Sequence, residues 1–147
     1  MNKLTLGIVA AVFSTSVNAD YKFIDLHFDG SHQFGRAFAI NDLNQVVGYE
    51  DVKLGVELRT PRTPTLWNAE TRERTYLIEP QPNRDGLALD INNKGDIVIT
   101  ASDFFNPKVA GYIYRSGNAE LLTFPIGMPK GALSLDLNEN GYFIGTT

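Results

Sequence analysis

One phrase occurs three times in this chain: "AINDLNQVVG" at 39–48, "DINNKGDIVI" at 90–99 and "DLNENGYFIG" at 136–145. Before the asparagine of the last two copies, "LALDI" and "LSLDL" alternate large apolar residues with small or acidic ones. This period of two predicts a strand with one buried face. Turn-forming residues and then a second β-rich run follow the asparagine. Each phrase therefore predicts a β-hairpin.

The turn of each predicted hairpin has its own chemistry. Gly95 and Gly141 align with Asn44, and all three residues tolerate the left-handed backbone that a tight hairpin turn requires. The asparagine that leads the turn is predicted to be a cap, whose side chain accepts a backbone N–H. The predicted structural turn motif consists of Asn41, Asn92, Asn138, Gly95 and Gly141.

A second hairpin follows each of the first two copies. Residues 64–80, "PTLWNAETRERTYLIEP", align with residues 110–125, "AGYIYRSGNAELLTFP", so that Trp67 matches Tyr114. The segment "YKFIDL" at 21–26 resembles the last strand of these hairpins and is predicted to be one more strand. Each unit thus has about four strands in 46 to 51 residues, a period typical of propeller blades.

With these motifs the chain resembles the HAF-type probable extracellular repeats of exported bacterial proteins. Those repeats have the form A-x-x-I-N-x-x-G-x-x-V-G followed by an "aFLW" strand, and the resemblance covers most of residues 34–147. The first copy departs from the pattern at Asn44, where glycine is usual, and the second at Ile99, where the final glycine is usual. The resemblance implies a propeller-like β-repeat and little about function.

The predicted fold is all-β, with antiparallel four-stranded repeat units that form a partial or oligomer-completed β-propeller. Residues 20–147 would form two full units and a terminal hairpin, which is too few strands to close a ring. Three outcomes remain open: a ring made by two or more chains, an open short array, or a piece of a longer protein. The end of the sequence just after "YFIGTT" favours a truncated chain or a homo-oligomer over a stable monomer.

Residues 1–19 have the pattern of a cleaved signal peptide. Lys3 precedes the apolar run "LTLGIVAAVF", and small residues at Val17 and Ala19 suit cleavage before Asp20. The alternative is a membrane anchor, but the uncharged stretch is shorter than the ~20 apolar residues that span a bilayer. The sequence therefore predicts a secreted or periplasmic protein with no membrane span. Its lack of cysteine excludes a disulfide framework.

The net charge and the candidate metal ligands limit the classes of partner and cofactor that the sequence predicts. The net charge of −4 gives no electrostatic basis for binding nucleic acid. "DLNENG" at 136–141 matches the first half of a calcium loop, but the position of the bidentate glutamate is Thr147. His27 and His32, with Asp29 between them, lack the ligand number of a metal site. No cofactor is predicted, and calcium is the alternative.

Catalysis has little support in the sequence. There is no cysteine and no nucleophile motif of the G-x-S-x-G type. Asp90 and Asp136 resemble the carboxylate pair of a glycosidase. They occupy equivalent positions in successive units, however, and the acid and base roles require different pKa values. An enzyme is the less favoured alternative.

The two connections that break the repeat are the predicted partner sites, because binding residues concentrate in such loops. One is "DFFNPKV" at 103–109 and the other is "EDVKLGVELRTPR" at 50–62. The candidate partner residues are Phe104, Phe105, Asn106, Lys53 and Arg59. Trp67 and Tyr114 are instead expected to pack in the core. The sequence favours an exported, non-catalytic module that binds an unknown glycan or surface protein; the alternatives are a glycan-directed propeller hydrolase and a truncated remnant of a longer repeat protein.

Overall fold

The computed structural model describes residues 21–26, 34–55, 60–105, 109–122 and 133–146. These residues form strands, turns and bends with no helix, and so no helix long and apolar enough to cross a membrane is found among them. The predicted signal peptide lies outside the described residues and stays a prediction. The strands are β1 (Gly35–Ile40), β2 (Gln45–Asp51), β3 (Arg62–Asn68), β4 (Arg74–Tyr76), β5 (Arg84–Ile91), β6 (Ile97–Asp103), β7 (Val109–Arg115), β8 (Asn118–Leu121), β9 (Leu133–Leu137) and β10 (Phe143–Thr146).

The strands form two four-stranded antiparallel sheets and one hairpin. The first sheet has the order β1-β2-β3-β4, the second has the order β5-β6-β7-β8, and β9 pairs with β10. Each sheet is a meander, because every strand pairs with its neighbour in sequence. We call the two sheets unit 1 and unit 2, and the β9–β10 hairpin unit 3. The all-β, antiparallel, four-stranded part of the fold prediction is confirmed.

The units pack face to face in chain order. One apolar cluster joins Val47 and Leu77 of unit 1 to Ala88, Ile91 and Ile97 of unit 2. A second cluster joins unit 2 to unit 3, where Val98 and Ile113 contact Leu137. Burial of these apolar side chains, at ~25 cal/mol per Å² of apolar surface, supplies the main driving force for stacking the units. Each internal unit interface is therefore a small hydrophobic core.

A β-bulge changes the buried face of the first strand of unit 2. Strict alternation predicts that Leu87, Leu89 and Ile91 share a face. The register shifts between Ala88 and Asp90, so Ala88 and Ile91 face unit 1 while Leu89 packs toward unit 3. A bulge inserts one unpaired residue and thereby reverses the alternation beyond it. The strand prediction stands, but the assignment of residues to faces was wrong at this point.

Residues 21–26 do not form the predicted strand. They have no strand backbone geometry, although Ile24 and Leu26 pack against Val46, Trp67 and Ala69 of unit 1. A strand is stable only when its backbone groups pair with a neighbouring strand, and no described strand pairs with this segment. The apolar residues of "YKFIDL" therefore serve packing without sheet formation.

Candidate functional site

The three repeated turns have the same backbone geometry. In each turn the residue three positions after the leading asparagine has a left-handed φ: 59° at Asn44, 80° at Gly95 and 80° at Gly141. Its N–H donates to the carbonyl of the leading asparagine, at 3.1, 3.0 and 3.1 Å respectively. Asparagine and glycine are the residues that adopt this conformation at low cost. The three copies are thus one turn type that occurs once in each unit.

The side-chain oxygen of each leading asparagine caps its own turn. Oδ1 of Asn41 accepts the N–H groups of Leu43 and Gln45, both at 3.0 Å. Oδ1 of Asn92 accepts those of Lys94 and Asp96, and Oδ1 of Asn138 accepts those of Asn140 and Tyr142, at 2.9 to 3.0 Å. These oxygens are therefore directed at backbone N–H groups, and a cation would have to displace those bonds.

The side-chain amide of the same asparagine links one unit to the next. Nδ2 of Asn41 donates to the backbone carbonyl of Asn92 at 3.0 Å, and Nδ2 of Asn92 donates to that of Asn138 at 3.3 Å. We call this chain of contacts the asparagine ladder. A neighbouring rung runs beside it, because the N–H of Asp42 donates to Asn93 and that of Asn93 donates to Glu139, both at 2.9 Å. The ladder aligns the turns of successive units along one end of the stack, which we call the turn end.

Metal ligation has no support among the described residues, which contain no cluster of three or more histidine or acidic side chains. His27, Asp29 and His32 lie outside the described residues. In the calcium-like loop, Oδ1 of Asp136 accepts the N–H of Leu137 at 2.9 Å, and the oxygen of Asn138 is engaged as a cap. The geometry of this loop is that of a hairpin turn.

Asp90 and Asp136 meet at the interface of units 2 and 3. Oδ2 of Asp90 and Oδ1 of Asp136 both accept the N–H of Leu137, at 2.7 and 2.9 Å respectively. Burial and the neighbouring Asp136 carboxyl raise the pKa of Asp90, although the N–H of Leu137 partly opposes the shift. The two carboxyl groups thus converge on one backbone N–H at the contact of units 2 and 3.

We expect Asp90→Asn to stabilise the protein by about 0.5 to 1 kcal/mol at pH 7.5, a figure reduced for solvent screening because Asp90 is only half-buried. A raised folded-state pKa means that the folded protein holds the proton more tightly, so stability falls as pH rises from the ordinary aspartate range through the raised pKa. Asparagine keeps an acceptor for Leu137 and can donate to Asp136. Urea unfolding at pH 4.5 and 7.5 should show a smaller pH slope than in wild type, with Glu79→Gln as the exposed control away from this interface. A loss of stability in Asp90→Asn at pH 7.5 would contradict this electrostatic account.

The opposite end of the stack, which we call the loop end, has the two connections that break the repeat. Phe104 and Phe105 are 61% and 76% exposed, and their rings form an edge-to-face pair with centroids 5.4 Å apart. The N–H of Phe104 donates to the carbonyl of Asn83 at 2.7 Å, and that of Phe105 to Oδ1 of Asp103 at 2.8 Å. Hydrogen bonds from two backbone N–H groups therefore fix the loop in a conformation that exposes both aromatic rings to solvent. Lys53 is exposed in the other connection, while Asn106 and Arg59 lie outside the described residues.

A groove lies between units 1 and 2 at this same end. Its wall includes an ion pair in which Nη2 of Arg62 donates to Oδ2 of Asp85 at 3.0 Å. Burial raises the pKa of the adjacent Asp51, with Arg62 lowering it and Asp85 raising it further. Ser102 and Val109, which flank the phenylalanine loop, also line the groove. The groove thus reaches the ends of the two strands that the phenylalanine loop connects.

Sequence reasoning missed the Arg62–Asp85 pair and the groove. Under the repeat alignment, Arg62 corresponds to Val109 and Asp85 to Phe34, so neither charge belongs to the repeated pattern. That departure from the repeat was the only available signal. It is the same signal that identified the two loops.

Trp67 and Tyr114 occupy equivalent positions in the third strands of their sheets. Trp67 is 1% exposed, and its ring N–H donates to the buried Glu50 carboxylate at 3.4 Å. Tyr114 is half-buried against the cluster between units 1 and 2. The expectation that Trp67 packs in the core is confirmed, so its ring is not available to stack on a ligand.

Comparisons of the chain with protein-family models, with curated proteins and with solved structures found no match. The resemblance to HAF-type repeats therefore rests on the three phrases and the aromatic strands alone.

Proposed function

We propose that this chain is an exported, non-catalytic module of β-propeller-like units that binds a glycan or another surface protein through its loop end. The observation that supports this most directly is the exposed pair Phe104 and Phe105. Exposure of two large aromatic rings to water is unfavourable, and buried aromatic residues supply much of the binding energy at interfaces. The pair lies in a loop that breaks the repeat, which is where binding residues are expected.

The neighbouring groove gives this surface polar specificity. The Arg62 guanidinium pairs with Asp85 at 3.0 Å and also interacts with Asp51, so charged groups of both signs lie at the loop end. Aromatic contacts with a few oriented polar groups are typical of recognition sites. Units 1 and 2 behave as propeller blades in this proposal, because each is a four-stranded meander and the units stack face to face.

The test is binding of the purified protein to intact bacterial cells, measured by flow cytometry. We expect Phe104→Ser/Phe105→Ser to lower the apparent affinity about tenfold or more, because each lost aromatic contact costs about 1 kcal/mol. The matched control is Tyr21→Ser/Phe23→Ser, which replaces two aromatic residues that are more than 90% exposed in another segment. Periodate treatment of the cells should abolish binding to a glycan, and protease treatment should abolish binding to a protein. Equal binding by the loop variant and wild type would refute the proposal.

The alternative of a glycan-directed hydrolase is tested by the same proteins. A carboxylate mechanism requires loss of turnover in Asp90→Asn or Asp136→Asn. The proposed module should release no reducing sugar from the polysaccharide that it binds, in wild type or in either variant. Release by wild type that disappears in Asp90→Asn would favour the enzyme.

A further inference from the structure

The two outer faces of the stack are equivalent to faces that already pack together inside it. We define the head face as the outer side of unit 1, where Ile40 and Ala37 lie on β1, and the tail face as the outer side of unit 3, where Ile144 lies on β10. Register places Ile40 at the position of Ile91 in unit 2, and Ile144 at the position of Val98. The head face of unit 1 is therefore equivalent to the face of unit 2 that packs on unit 1, and the tail face of unit 3 is equivalent to the face of unit 2 that packs on unit 3.

The exposure of these residues differs sharply from that of their equivalents. Ile91 is 5% exposed because unit 1 covers it, whereas Ile40 is 61% exposed. Val98 is fully buried beneath unit 3, whereas Ile144 is 64% exposed. Among the described residues, no neighbouring unit covers Ile40 or Ile144 in the way that units 1 and 3 cover Ile91 and Val98. Exposed apolar faces of this kind mark interaction surfaces.

The asparagine ladder is also open at both faces. Asn92 receives a hydrogen bond from Asn41 on one side and donates to Asn138 on the other. Within the described part of the chain, the Nδ2 group of Asn138 has no acceptor, and no side-chain amide donates to the carbonyl of Asn41. The donor without an acceptor lies at the tail face, and the Asn41 carbonyl, which accepts only its own turn's N–H, lies at the head face. A tail face meeting a head face would continue both the apolar packing and the ladder.

We propose that two copies of this chain associate head to tail, each placing its tail face against the head face of the other. The occupant is a second copy because each internal interface already joins a tail-type face to a head-type face of this same repeat. Two copies supply four four-stranded units and two hairpins, six units in all, and closed propellers have four to eight blades. Closure matters because an open head-to-tail contact would continue into a filament. This assembly rests on the propeller-like units proposed above and not on the binding activity of the loop end.

A groove on the head face offers an apolar surface to the incoming unit. It is lined by Ile24 and Leu26 together with β1 residues from Ala37 to Ile40. Ile24 and Leu26 pack against Val46 and Trp67 on this face, as Leu77 and Ile78 pack in the interface of units 1 and 2. Among the described residues, 21–26 thus cover part of the head face and leave Ile40 exposed. The second copy would cover the rest of this face through β9 and β10.

The experiment is light scattering after gel filtration of the full chain, expressed with its own N-terminal segment and purified after export. Wild type is expected to have twice the mass of one chain. Ile40→Lys and Ile144→Lys place a charge on the head and tail face respectively, and each is expected to be monomeric. Leu43→Lys is the control, because Leu43 is also exposed but lies in a turn. Circular dichroism should show the same β-rich spectrum for all four proteins.

Mixing the two monomeric variants distinguishes this geometry from others. Ile40→Lys retains an intact tail face and Ile144→Lys retains an intact head face, so an equimolar mixture should recover a dimer through one interface. A symmetric contact between like faces would not recover in this way. A monomeric wild type, a wild type of polydisperse high mass, or variants that remain dimeric would each overturn the proposal. Loss of cell binding in Phe104→Ser/Phe105→Ser with the dimer intact would support both proposals, and it would show that dimer formation does not depend on the binding surface.

If a lysine variant does not fold, Asn138→Asp tests the ladder instead. The carboxylate keeps the cap acceptors but has no N–H for the Asn41 carbonyl of the second copy. The dimer dissociation constant should rise about tenfold, since one interfacial hydrogen bond is lost and a charge faces a carbonyl oxygen. An unchanged dissociation constant would show that the ladder does not continue between chains.

Discussion

Trp67→Ala is expected to destabilise the protein by about 4 kcal/mol, because truncation of a buried tryptophan removes its apolar contacts and leaves a cavity. The ring is 1% exposed and packs with Val46 and Ala69, against which Ile24 and Leu26 also lie. Its loss also removes the N–H that Glu50 accepts at 3.4 Å. Small domains have only about 5 to 15 kcal/mol of stability, so a large part of the total is at stake. Urea unfolding followed by circular dichroism measures the change.

Two further variants separate the contributions of the Trp67 side chain. Trp67→Phe keeps most of the apolar volume but removes the ring N–H, and about 1 to 2 kcal/mol of destabilisation is expected. Tyr114→Ala changes the equivalent, half-buried position of unit 2 and should cost less than Trp67→Ala. If Trp67→Ala unfolded at the same urea concentration as wild type, the ring would not be part of the core. Its availability for ligand stacking would then have to be reconsidered.

The local elements were predictable because short-range chemistry determines them. Strand alternation and a left-handed residue three positions after the asparagine were sufficient to identify all three hairpins. The capping role of the Asn92 side-chain oxygen follows from the same logic, since the N–H groups that donate to it lie within four residues. The exposed loop with Phe104 could be identified because it interrupts the repeat. Each of these features depends on residues close together in the chain.

The features that sequence could not predict depend on how units meet. The amide of Asn41 bonds to a carbonyl 51 residues away, and nothing in either turn alone specifies that contact. The bulge at Leu89 reversed the face of a strand whose alternation looked regular. Residues 21–26 resembled a strand by composition, but strand formation depends on a partner that the described residues do not supply. The buried Glu50 was likewise invisible, because it lies within a strand next to a long polar loop.

Asn92→Ala is expected to have the second large effect on stability, because Asn92 both caps its own turn and links unit 2 to unit 3. Asn92 is 2% exposed, and its side chain makes four contacts: it caps Lys94 and Asp96, donates to Asn138, and lies 3.4 Å from the Asp96 carboxylate. Arg115 holds the pKa of Asp96 below its usual range through an ion pair at 2.7 Å, so this acceptor is charged at neutral pH. Asn92→Ala should cost about 3 kcal/mol, because it leaves buried N–H groups without acceptors.

Asn138→Ala is the matched control, since it removes an identical turn cap at an exposed position where the described residues offer no next unit. In the Ile144→Lys background, which is expected to be monomeric, this change should cost about 1 kcal/mol, as an exposed cap does. The difference between Asn92→Ala and Asn138→Ala therefore measures what burial and the inter-unit bond add to a turn cap. Equal costs at the two positions would mean that the ladder aligns the units without stabilising their contact, and apolar burial alone would then hold the stack together.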